Sequence, residues 1–157
     1  MRNDPSGRRD RVLAAVEIPA LGIWLGALVG FAFVSAPLAF RIVAPVDVAR
    51  FAALVAQSLA TLTSWGYVLG GIAIVAALLR ALFAGDRVWD FVRILVIIFA
   101  LGLATYDERA IVPAMTATTD VHSTEYRDLH SRSTQVYGGV VLLTLVALVL
   151  SAVRRDD

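Results

Sequence analysis

Residues 120–130 read Asp-Val-His-Ser-Thr-Glu-Tyr-Arg-Asp-Leu-His and hold both histidines of the chain among three carboxylates. Imidazole beside carboxylate is the donor set of zinc and copper sites. Asp120, His122, Glu125, Asp128 and His130 are therefore the weak candidate metal ligands, and no metal site is assigned to them. His122 and His130 stand eight residues apart, too far for one helical turn, and the neighbouring Arg127 and Arg132 oppose a bound cation. Cysteine is absent, which excludes disulfides, thiolate catalysis and thiolate metal sites. Lysine is absent too, which excludes Schiff-base chemistry. Ser131 and Ser133 flank His130, but no nucleophile, base and acid fall at a readable spacing, so no catalytic residue is expected. A haem held between two histidines needs both in the bundle. Here His122 reads as loop and His130 as membrane edge, so this reading is weak and no cofactor is expected.

The elements that carry these residues are apolar. Of the 157 residues, 59% are hydrophobic and 17% charged, against about half and a quarter in a soluble domain. The excess lies in runs long enough for the roughly 20 residues of a membrane-crossing helix. Spans are expected at 14–40, 62–83, 88–106 and 133–153, within a transmembrane domain of 12–153 behind a polar tail at 1–11. The apolar run holding the second span begins at 48. As one helix it is about 54 Å long, so its first part is expected to project beyond the bilayer. The fold class is all-α, a four-helix antiparallel transmembrane bundle. The lipid bilayer is the expected partner. A net charge of +1 with no basic stripe gives no case for nucleic acid.

Arginine placement sets the expected orientation. Arg2, Arg8, Arg9, Arg11, Arg80, Arg87, Arg93, Arg154 and Arg155 fall on one side, against Arg41, Arg50, Arg109, Arg127 and Arg132 on the other. Both termini are then cytoplasmic, and 107–132 forms an outward-facing polar loop with the adjoining helix ends. An integral protein of a bacterial inner membrane is the matching location. Depth counting brings Arg41, Asp107, Glu108, Arg109, His130 and Arg132 to one outer plane. Tyr126, His130, Ser133 and Tyr137 follow helical spacing and form a polar stripe. Such a stripe is expected to face the bundle and to line a polar pocket. The cluster has a structural or partner-binding role on this reading. Binding of a metal ion, an anionic lipid or a small ligand is the alternative.

Small residues mark close packing in lipid. Gly22, Gly26 and Gly30 repeat every fourth residue, and Gly138 and Gly139 open the last span. They are expected to seal the bundle, with a homo-oligomer contact or another membrane protein as the alternative occupant. Pro19 and Pro37 are expected to kink the first helix. Glu17 lies inside the membrane boundary. It either reaches the headgroups or pairs with Arg80 or Arg93.

Three stretches carry a family resemblance. They are WLGALVGFAFVSAPLAFR (24–41), DERAIVPAM (107–115) and YRDLHSRSTQVYGGVVLL (126–143). Their shared features are Trp24 and Gly26; Pro37, Phe40 and Arg41; Ile111, Pro113 and Met115; Leu129, His130, Ser133, Gly138 and Gly139. In this order they resemble the bacterial membrane family catalogued as domain of unknown function 4149, itself similar to transmembrane protein 205. Tyr126 stands where that family often has a phenylalanine. The resemblance implies a four-helix membrane protein and brings no activity with it.

Overall fold

The computed structural model describes residues 5–83, 87–118 and 123–153. Among them there is no strand. Six α-helices occur: α1 (Pro5–Gly30), α2 (Ala36–Ile42), α3 (Val48–Phe83), α4 (Arg87–Tyr106), α5 (Val112–Ala117) and α6 (Thr124–Val153). Two π-helical segments, Phe31–Ser35 and Asp107–Ile111, join α1 to α2 and α4 to α5. The result is four long rods. Each is long and apolar enough to cross a membrane, over Arg9–Ile42, Val48–Phe83, Val88–Ala117 and Thr124–Val153. The chain is an integral membrane protein.

Both π segments have a cause in the sequence. Proline has no N–H to bond the carbonyl four residues back, and its ring crowds that carbonyl. For Pro37 and Pro113 those carbonyls belong to Phe33 and Arg109, the middle residues of the two segments. The backbone widens there instead of breaking, with Ala36 N–H bonded to the Phe31 carbonyl and Val112 N–H to that of Asp107. Pro19, in contrast, lies inside α1 without ending it. A π segment therefore accompanies Pro37 and not Pro19. The charged triplet Asp107–Arg109 does not end a helix either. The rod continues to Ala117, and α6 begins at Thr124, so most of 107–132 is helix.

Buried positions repeat at alternating steps of three and four along all four rods. On α1 they are Ala14, Glu17, Leu21, Trp24 and Leu28; on α3, Leu59, Thr63, Gly66, Gly70, Ala73, Ala77 and Arg80. On the α4 rod Asp90, Arg93, Ile97, Ala100, Asp107 and Ile111 follow the same phase, and on α6 Val140, Thr144, Ala147 and Ser151 do. A step averaging 3.5 residues is the seam of a left-handed helix bundle. α1 packs on α3 and α6, and α4 packs on the same two, so the rods form a ring with α1 and α4 across one diagonal. Its centre is filled by Leu21, Trp24, Leu28, Ala73, Ile97, Ala100, Val140 and Ala147.

Close approach comes from glycines other than the expected ladder. A Cβ at Gly66 would lie 3.0 Å from the Trp24 indole nitrogen, and one at Gly70 would lie 3.1 Å from Leu101. Gly139 would meet Leu103 at 3.2 Å. At Gly22, Gly26, Gly30 and Gly138 a Cβ would meet nothing within 4 Å. These four do not seal the bundle. Gly26 and Gly138 are exposed and Gly22 and Gly30 half-buried, so none is pressed against a neighbouring helix.

Candidate functional site

Two polar clusters interrupt the apolar interior, one toward each end. The first centres on Glu17, fully buried on α1. Its Oε2 accepts from Arg80 Nη2 at 2.7 Å and Arg93 Nη1 at 3.2 Å; its Oε1 accepts from Arg93 Nη1 at 3.0 Å. Arg93 Nη2 bonds Asp90 Oδ1 at 3.0 Å. The Ser151 hydroxyl lies 2.7 Å from Glu17 Oε1 and 2.8 Å from the Ala147 carbonyl, with one proton to share between them. All four rods contribute, and Arg93 reaches Glu17 across the diagonal. Two carboxylates balance two guanidiniums, which is the composition that low-dielectric burial demands. Glu17 therefore takes both Arg80 and Arg93 as partners rather than rising to the headgroups.

The second cluster centres on Asp107. It is 4% exposed, placed inward because it continues the phase of Ile97 and Ala100. Buried Ser133 on α6 is its side-chain hydrogen-bond partner. Asp107 Oδ1 has no hydrogen-bond partner. The Tyr137 hydroxyl donates to the Leu28 carbonyl at 2.8 Å, three residues before the first π segment, and its ring lies 6.1 Å from Phe31. Beside them is a chamber of about 20 Å³. It is walled by Trp24, Leu28, Leu59, Leu62, Thr63, Ala104, Asp107, Glu108, Tyr137 and Val140. That volume admits about one water-sized body. Nearby, the Tyr67 hydroxyl donates to Thr105 Oγ1 at 2.7 Å, since Thr105 spends its own proton on the Leu101 carbonyl.

Of the candidate residues, the structure brings Asp107, Ser133 and Tyr137 together, with half-buried Glu108 on the chamber wall. Arg41, Arg109, His130 and Arg132 are exposed, and no ion pair ties them among the described residues. His130 stacks on half-buried Tyr126, centroids 6.3 Å apart and planes within 5°. The expected stripe thus splits: Ser133 and Tyr137 turn inward, while His130 turns out. Nor do these groups share one level. Arg41 lies thirteen residues past Leu28 and His130 seven before Tyr137, or about 20 Å and 10 Å beyond the chamber at 1.5 Å per residue. Glu125 and Asp128 are exposed, and Asp120 and His122 lie outside the described residues. Among the described residues no three His, Cys, Asp or Glu side chains are grouped to hold a metal. Sequence reasoning missed Trp24, Leu28 and Thr63 as chamber walls. Thr63 was findable as the polar member of the small-residue seam Leu59, Thr63, Gly66, Gly70.

A family model described as domain of unknown function (DUF4149) matches residues 20–124, well over half of the chain. The chain belongs to this family. The match spans the rods through α5 and takes in Pro37, Asp107 and Pro113, the residues behind the π segments and the chamber. It ends as α6 begins, so the stretch 126–143 stands outside it. No curated protein and no solved structure matches the chain.

Proposed function

We propose that this DUF4149 protein works by docking rather than catalysis, and that its docking surface is the set of helix extensions beyond the Asp107 chamber. One contrast supports this. At the Glu17 end, four charges from three rods are spent on one another in a buried network, while Arg9 and Arg11 stay exposed. At the other end Arg41, Arg109, His130 and Arg132 are exposed and tie no helices together among the described residues. Polar groups that stabilise no contact of their own are available to a partner. The exposed acids Glu125 and Asp128 alternate with the arginines, and such a mixed rim suits a protein partner better than a purely anionic headgroup layer. The excess of arginine toward the Glu17 end supports termini in the cytoplasm, with the docking surface on the outer face of a bacterial plasma membrane.

The test is the triple variant Arg41→Glu, Arg109→Glu, Arg132→Glu. The expected result is an unchanged melting midpoint in detergent, together with loss of the adducts that a photo-crosslinking side chain at position 132 forms in native membranes. A midpoint lowered by several degrees assigns these arginines to the bundle's own stability and removes the reading. Adducts to lipid alone, lost on charge reversal, point instead to an anionic-lipid site.

A further inference from the structure

We infer that the Asp107 chamber binds one weakly hydrated monovalent cation of water's size, of the ammonium or potassium kind. The argument begins with an unsatisfied group. Asp107 is more than nine-tenths buried, and its Oδ1 has no hydrogen-bond partner. A bare carboxylate oxygen in an apolar interior is among the costliest groups to bury. Something must supply a proton or a charge, and the chamber beside it has the room. Half-buried Glu108 borders the same chamber, and neither acid has an ion pair among the described residues. Arg109, next in sequence, is exposed. The local field therefore attracts a cation.

Size and lining set its class. About 20 Å³ excludes a hydrated divalent ion, which keeps several waters. The wall is mostly apolar and includes the aromatic rings of Trp24 and Tyr137, whose faces favour soft, easily dehydrated cations. Thr63 is the one hydroxyl-bearing aliphatic residue of the lining. Ammonium is close to water in size and donates hydrogen bonds, so it can satisfy Oδ1 directly. Potassium offers the same charge without the protons.

The experiment uses the full-length protein in detergent at constant ionic strength. Its melting midpoint is followed against ammonium, potassium, sodium and choline chlorides. The expected result is a saturable rise of a few degrees with ammonium or potassium, little with sodium and none with choline. Which of the two acts at lower concentration identifies the ion. Thr63→Val keeps shape and should weaken the response about tenfold; Asp107→Asn should abolish it. Binding of radiolabelled rubidium, a potassium surrogate, to the wild type reads the site without any variant, with about one ammonium-displaceable ion per chain expected. Equal midpoints in all four salts together with no displaceable rubidium overturn the inference and leave the chamber to a single water. A response that survives in Asp107→Asn also overturns it, because the cation then sits elsewhere.

Discussion

Replacing Glu17 by glutamine keeps the side chain's shape and removes one charge from a network that sums to zero. Glu17 and Asp90 balance Arg80 and Arg93, so the variant leaves one buried positive charge uncompensated. Four contacts between 2.7 and 3.2 Å converge on the carboxylate: Arg80 Nη2, Arg93 Nη1 to each oxygen, and the Ser151 hydroxyl. Removing one partner of a buried pair costs about 3–5 kcal/mol, because the other charge stays buried and unpaired. Arg80 and Arg93 are themselves nearly inaccessible, so solvent screens little of that cost. The assay is reversible unfolding in bicelles, by steric trapping or graded detergent denaturation. Glu17→Gln should lose about 3–5 kcal/mol, while Glu17→Gln with Arg80→Gln restores neutrality and recovers a large part of it. Wild-type stability in the single variant, or strictly additive losses in the double variant, refutes the view that these charges compensate one another.

Other consequences are as direct. Gly66→Val should cost about 1–3 kcal/mol, since the side chain has to displace the buried Trp24 ring. Gly26→Val, made over open space, should stay within about 0.5 kcal/mol of wild type in the same unfolding assay. Pro113→Ala returns an N–H donor to the Arg109 carbonyl, so the π segment should relax and turn the residues beyond it. A cysteine at position 112, buried in the wild type, should then become labelled by maleimide; continued protection counts against proline as the cause. Tyr137→Phe removes the bond to the Leu28 carbonyl and should cost about 0.6–1.5 kcal/mol, read by the same denaturation.

The four rods were legible because hydrophobic length alone identifies a membrane helix. The partners of Glu17 were legible because helical rise fixes depth, and Arg80 and Arg93 fall at its level. Which way each residue faces was much harder to read. In a soluble helix an apolar stripe marks the core. In lipid the outer face is as apolar as the inner one, so Phe33 at 76% exposure and Leu21 at zero look alike in sequence. The glycine ladder of α1 misled for that reason: small residues permit close approach without requiring it. Asp107 read as a helix end because three charges follow an apolar run, and as an acid of the polar pocket. The helix runs on instead, and Asp107 faces the chamber because the seam from Ile97 and Ala100 carries on through the π segment. The arginines and His130 read as one ring, but their helices extend different distances past the chamber.

The central claim is that the Glu17 network is sealed inside the bundle while the arginines beyond the Asp107 chamber stand at the surface. The chain has no native cysteine, so single cysteines test this cleanly. Ser151→Cys, at the buried network, and Arg132→Cys, on the exposed extension, are to be compared for their rates of reaction with a membrane-impermeant maleimide in reconstituted vesicles opened to both faces. The account predicts rapid labelling at position 132 and essentially none at 151. Comparable rates at the two positions, or protection at 132, would contradict it.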